Sequence, residues 1–259
     1  MTESDMRKAA RENLRGNWGI SVGVTLVAAL LGGMAMDITG GDTFRYILNY
    51  ASNGRGELPA LLRTFLVPVL SGVGIWGLLT FLVGGTVALG HAEFLLRQYR
   101  GEPLTFDVLF SQFDRFGTGF AQNFLRTLYV ILWSLLLVIP GVVKSYSYAM
   151  TPYIMANHPG LTANEAITES RRIMDGNKWR LFCLDLSFLG WELLCTLPML
   201  IGFSLVFAFT HSADTVLVLL ILLSIPLSAG FFFLHPYEEA AWAIFYRDIT
   251  AAPSDTEEI

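Results

Sequence analysis

The chain has 259 residues, 53% of them hydrophobic and 15% charged, with a mean hydropathy of +0.51 and a net charge of −5. Soluble domains carry about 25% charged residues, and here the deficit is concentrated in long apolar runs. That excludes an ordinary soluble domain and points to an all-α, polytopic helical membrane protein. With no basic patch there is no basis for nucleic-acid binding.

Residues 4–16 form the first amphipathic helix, with Met6, Ala9, Ala10 and Leu14 on one side and Gly16 at its end. Gly16-Asn17-Trp18 leads into a first span from about Trp18 to Met36. Arg7, Lys8, Arg11 and Arg15 ahead of an apolar run resemble a signal peptide, but Glu3, Asp5 and Glu12 and the helical patterning favour an uncleaved span. Gly19 and Gly23 make a G-x-x-x-G pair, which lets another backbone come close.

Asp37 to Arg63 reads as a polar connection, with Phe44, Ile47, Leu48 and Ala51 suggesting a brief surface helix. The second span, about Thr64 to Leu89, is glycine-rich and leaves the membrane through Gly90-His91-Ala92-Glu93. A second amphipathic helix is expected from an N-cap at Thr105, through Leu109, Phe110, Phe113 and Phe116, to a closing Gly117. The third span runs from Phe120 to Ile139. Pro140-Gly141 breaks it, and Val142 to Ala156 returns as a short fourth span. Fifteen residues fall short of the roughly 20 that a straight span needs.

The third amphipathic helix is the most fully specified. Thr162 and Glu165 have capping-box spacing, and Ala163, Ala166, Ile167, Ser170, Ile173 and Met174 recur on one helix face. Gly176 stands where a left-handed C-cap is wanted, and Asn177 and Trp179 follow it at the interface. A fifth span covers about Leu181 to Phe209, with Pro198 and Gly202 expected to bend it. A link, Thr210 to Asp214, joins a sixth span from Thr215 to Leu234. Helical patterning continues through Pro236 and Tyr237 to Asp248, and residues 250–259 read as a disordered acidic tail. Cys183 and Cys195 lie about 18 Å apart along one helix, too far for a disulfide within the chain.

Of the seventeen Lys and Arg residues, twelve fall on one side of a six-span arrangement. The positive-inside rule puts both termini and all three amphipathic helices in the cytoplasm. The chain then divides into three units, about 4–100, 103–158 and 161–249, each an amphipathic helix followed by a hairpin of spans. Gly16-Asn17-Trp18 matches Gly176-Asn177-Lys178-Trp179, and Thr151-Pro152-Tyr153 matches His235-Pro236-Tyr237.

Several stretches carry a family likeness: R-E-N-L-R-G-N-W-G, F-R-Y-I-L-N-Y, L-W-S-L-L-L-V-I-P-G-V-V-K-S-Y-S-Y-A-M, E-S-R-R-I-M-D-G-N-K-W-R-L-F and P-Y-E-E-A-A-W-A-I-F-Y-R-D. Together they resemble the bacterial integral membrane family known as domain of unknown function nine-seven-five, from roughly Arg7 to Asp248. That resemblance implies a bacterial cytoplasmic-membrane protein of unassigned activity and supplies no catalytic residues. A looser likeness is to the membrane part of some glycerophosphodiester phosphodiesterases, without their soluble catalytic domain.

Charges at membrane depth are costly and default to functional hypotheses. Glu192, Asp185 and Arg126 qualify, and Arg126 is expected to pair with an acid: Asp185 first, Glu238 or Glu239 otherwise. His235, Glu238 and Glu239 share one helix face, with His91-x-Glu93 on another helix at the same side. Such groups can bind a metal, but their spacing does not specify one, and neither a metal nor a cofactor is expected. No Walker loop, G-x-S-x-G elbow or H-E-x-x-H occurs. The expected class is a non-enzymatic transporter or handler of lipid or another hydrophobic small molecule. The alternative is a scaffold or assembly factor using the cytoplasmic amphipathic helices, and an intramembrane enzyme using the His/Glu cluster is the weakest. The bilayer is the one partner expected, while a protein partner and homo-oligomerisation stay open.

Overall fold

The structure, a computed structural model, describes residues 1–32, 60–209, 219, 222–223 and 226–251. The surface helix expected at Phe44–Ala51, the Thr210–Asp214 link, much of the sixth span and nearly all of the acidic tail lie outside the described residues. Within them the fold is all-α. In order come α1 (Glu3–Leu14), α2 (Trp18–Leu30), α3 (Ala60–Arg100), α4 (Asp107–Phe110), a 3-10 turn (Phe113–Arg115) and α5 (Phe116–Leu136). They are followed by α6 (Val138–Ser147), α7 (Thr151–Asn157), α8 (Ala163–Ile173), α9 (Lys178–Phe209) and α10 (Ala229–Ala251).

The first and third amphipathic helices are built alike. Each starts in a reciprocal capping box, Thr2 with Asp5 and Thr162 with Glu165, in which a hydroxyl and a carboxylate satisfy two free N–H groups. Each ends in a left-handed glycine, Gly16 at φ +83° and Gly176 at φ +77°. The following N–H then returns to the helix: Asn17 N donates to Leu14 O at 3.0 Å, and Asn177 N to Met174 O at 3.1 Å. With Gly16 aligned to Gly176, the buried residues Met6, Ala10 and Leu14 correspond to Ala166, Ser170 and Met174. The register carries into the next helices, where Ser21, Val24 and Ala28 correspond to Leu181, Leu184 and Phe188, all buried.

The middle copy departs from this plan. No helix runs from Thr105 to Phe116; instead α4 is four residues long and has no side-chain cap, and a 3-10 turn follows. Gly117 does not close a helix but lies in the first turn of α5. Only Val108 and Leu109 are buried there, while Phe110, Phe113 and Phe116 are exposed. The sequence carries no acid three residues after Thr105 to complete a capping box, and helices this short depend on caps and packing.

The expected fourth span is also corrected. Val142 to Ala156 is not one helix, because α6 ends at Ser147 and α7 begins at Thr151. The break after α5 falls at Leu137, in extended backbone, rather than at Pro140. Pro140 sits in the first turn of α6, where a missing N–H removes no intrahelical bond. The third helix starts before Phe120, at Phe116, and α9 continues as one helix through Pro198.

Glycines on α3 set its packing distance. A Cβ at Gly84 would overlap the Gly32 carbonyl, one at Gly85 the Gly119 carbonyl, and one at Gly90 the Leu109 carbonyl. The G-x-x-x-G pair on α2 does less than expected: Gly23 receives the Phe106 ring, and Gly19 faces open space.

Two described stretches, Gly77–Arg100 and Lys178–Val206, are long and apolar enough to cross a membrane. The apolar window of the first is 61% buried and that of the second 6%. The packed core gathers around α1, α8 and the helix ends beside them: Val87 to Leu96 on α3, Leu181 to Phe188 on α9 and Leu234 to Tyr246 on α10. Further along, α9 bares Leu193, Leu194, Leu197, Leu200 and Ile201.

Two stability measurements follow, by thermal unfolding of purified protein in detergent. Gly176→Val places a β-branched residue at positive φ with no atom near its Cβ, so it should cost of order 1–2 kcal/mol through the backbone alone. Gly90→Ala leaves the backbone free but meets the Leu109 carbonyl, and overpacking of this kind costs about 1–3 kcal/mol. An unchanged Tm for Gly176→Val would refute the left-handed cap.

The capping boxes give a pH signature. Backbone and side-chain hydrogen bonds to Thr162 hold the Glu165 carboxyl below its ordinary range. A lowered folded-state pKa adds stability above the unfolded value, and that stability is lost as pH falls through the folded one. Thr162→Ala should therefore lower Tm at pH 7 and make progressively less difference as pH falls below about 4. A constant difference across that range would show that the Glu165 carboxylate is not engaged.

Candidate functional site

Four helices and one short segment bring side chains together beside the packed core. On α10, His235, Glu238, Glu239 and Trp242 stand at i, i+3, i+4 and i+7, which is a single face. Asp185, Phe188 and Glu192 stand at i, i+3 and i+7 on α9, and Ala88, His91 and Ala92 at i, i+3 and i+4 on α3. Ala149, Pro152 and Tyr153 come from the α6–α7 turn and α7, and Arg126 from α5. The small residues Ala88, Ala92 and Ala149 leave space between these faces. The result is a cavity of about 390 Å³ that all six predicted polar residues line: Arg126, Asp185, Glu192, His235, Glu238 and Glu239.

The expected pairing of Arg126 with Asp185 does not form. The two oxygens of Asp185 accept hydrogen bonds from Tyr146 Oη and Trp242 Nε1, both at 2.8 Å. Both donors are neutral, so they solvate the carboxylate without cancelling its charge. Arg126 is coupled electrostatically to Glu239 and Tyr153 instead. It forms no ion pair within 4.0 Å among the described residues. The phenol and indole that reach Asp185 come from α6 and α10.

Elsewhere in the cavity Tyr153 Oη donates to Glu239 Oε2 at 3.4 Å, and the Tyr153 ring stacks on Tyr246 at 5.5 Å. His235 Nδ1 lies 3.5 Å from Glu238 Oε2, and Phe231 stacks on the imidazole. Glu238 Oε1 is buried without a hydrogen-bond partner among the described residues. His91 reaches the wall from a buried position, its Nε2 lying 3.3 Å from Thr25 Oγ1. With Gly16 aligned to Gly176, Thr25 stands where Asp185 stands, so both units carry a polar side chain at that station.

Glu93 does not join His91 at the site. It binds Arg97 at 2.7 Å and Arg100 at 3.6 Å, facing away from the cavity. No grouping of three or more His, Cys, Asp or Glu that could hold a metal ion occurs among the described residues. Tyr237, next to the acids, also points elsewhere: its Oη donates to Arg7 O at 3.1 Å, and Arg11 packs over its ring. Trp18 packs on Phe233, and Trp179 is exposed.

The residues that sequence reading missed are Tyr146, Tyr153 and Trp242. Trp242 was reachable as the i+7 partner of His235. Tyr153 lay within the repeat match without being read as a site residue. Tyr146 carried no signal, since its place depends on the turn that splits α6 from α7.

A family model described as "Protein of unknown function (DUF975)" matches residues 122–253. The chain belongs to that family. The DUF975 match takes in Arg126, Asp185, Glu192 and the whole polar face of α10, and leaves α1 to α3 outside. No curated protein and no solved structure matches the chain.

Double-mutant cycles test the site's wiring. Tyr146→Phe and Asp185→Asn each remove one end of a hydrogen bond to a charged group, costing about 1.5–3 kcal/mol. They should couple by about 0.5–3 kcal/mol. Arg126→Leu and Asp185→Leu should add to within about 0.5 kcal/mol. Coupling in the second pair, measured by unfolding of the four proteins, would restore the direct ion pair.

Proposed function

We propose that this protein is a six-span component of a bacterial cytoplasmic membrane with both termini in the cytoplasm. In this reading it binds and moves, or otherwise handles, a lipid or other hydrophobic small molecule, and is not an enzyme. The observation that carries the reading is the convergence of six charged or titratable side chains from three long helices on one cavity, next to helices whose outer faces are bare and apolar. A hydrocarbon surround explains why α9 leaves its apolar window exposed, because contiguous patches of that size are costly in water. Charges beside such a surround need a partner or a task.

The scaffold reading has less support. Its platform would be the amphipathic helices, yet the apolar faces of α1 and α8 are spent on the protein's own core through Met6, Ala10, Leu14, Ala166, Ile167 and Met174.

Two experiments test the proposal. Single cysteines at Asn53 and Thr168, the latter on the exposed face of α8, should react with a membrane-impermeant maleimide only from outside and only from inside, respectively. External labelling of Thr168→Cys would overturn the orientation. In proteoliposomes, wild-type protein should accelerate transbilayer movement of a fluorescent lipid, and Glu192→Gln or Glu239→Gln should abolish most of that acceleration. A wild-type rate equal to that of protein-free vesicles would overturn the lipid arm.

A further inference from the structure

We propose that the ligand of this cavity is headed by a primary ammonium group, an inference that rests on reading the cavity as a binding site. Among the described residues, the carboxylates of Asp185, Glu238 and Glu239 line it against one guanidinium, Arg126. His235, even if protonated, brings only a second positive charge, and it is directed at a single oxygen of Glu238. The groups that hold Asp185 and Glu239 are phenols and an indole, which donate hydrogen bonds and carry no charge. Inside a protein an uncompensated carboxylate costs far more than in water, so among these described groups positive charge is in deficit.

The deficit has a local address. Glu238 Oε1 is a buried acceptor with no donor among the described residues. The torsion that turns a carboxylate is soft, so a small rotation offers this oxygen to a donor inside the cavity. A primary ammonium is compact and carries three N–H donors, enough to reach Glu238 together with a neighbouring acid. A quaternary ammonium has the charge but no donor and leaves that oxygen unpaired. Tyr153 and Trp242 also line the cavity, and aromatic side chains are of the kind that attract cations. About 390 Å³ lies at the lower end of small-ligand sites, roughly 300–1,000 Å³, and suits a head group with a short apolar tail.

The test uses full-length protein in an uncharged maltoside detergent, titrated calorimetrically with hexylamine, hexyltrimethylammonium, hexanol and hexyl phosphate, with protein-free micelles as the blank. Hexylamine should bind saturably and at least about tenfold more tightly than the other three, the scale of one charge-assisted hydrogen bond. Glu238→Gln should weaken hexylamine about tenfold or more while retaining the wild-type elution volume. Should that variant fail to fold, Glu239→Gln must show the same loss. Equal binding of hexylamine and hexanol, or hexylamine binding unchanged in a folded variant, overturns the ammonium head. Tighter binding of hexyl phosphate that Arg126→Gln removes also overturns it, while leaving the cavity as a binding site. No saturable binding of any of the four overturns both.

Discussion

Ala240, Ala241, Ala243 and Ile244 on α10 are almost completely buried, and the helix they belong to packs on α1, α2, α3 and α9. The three alanines let several helices approach one axis closely, where dispersion contacts and excluded water do most of the holding. The polar face of the same helix is thereby fixed towards α9 and α7. Lose that close approach and His235, Glu238 and Glu239 lose the walls that define the cavity. The seat of α10 is thus both the core of the fold and the floor of the site.

Acids so placed are held chiefly by neutral donors. Asp185 takes an indole N–H and a phenol O–H, and Glu239 a phenol O–H. This differs from a buried ion pair, whose desolvation cost is offset only when both charges meet in good geometry. Neutral donors fix the position of a carboxylate and leave its charge available to whatever enters. Arg126, coupled electrostatically to Glu239, likewise forms no ion pair within 4.0 Å among the described residues. Polar residues that served only to set helix register would be expected to close on one another.

Much of this was legible in the residue pattern. Glycines at 16 and 176, capping-box spacing at Thr162 and the apolar stripe of α8 are local signals, each enforced by backbone chemistry within one turn. The six polar site residues were legible too, because charge inside an apolar run is conspicuous against its surroundings. What failed was mostly non-local. Asp185 has two donors from distant segments, and no spacing rule predicts which of several reachable groups will arrive at 2.8 Å. The split between α6 and α7 was missed because Val142 to Ala156 is apolar throughout, and periodicity cannot mark a turn inside a uniform run. The middle amphipathic helix was over-read: phenylalanines at helical spacing look like a buried face, yet three of the four predicted face residues are exposed.

The contact between α1 and α10 sets an order on how the molecule comes together. Residues near the start of the chain, through the Arg7 carbonyl and Arg11, are held by Tyr237, more than two hundred positions later. Arg180, at the head of α9, reaches Asp248 near the end of α10 at 2.6 Å. A nascent chain therefore carries α1 with its apolar face unmatched until α10 has been synthesised. An interrupted product keeps that face bare, and proteases and chaperones sample exposed apolar helices. Synthesis of α10 is itself the signal that hides it.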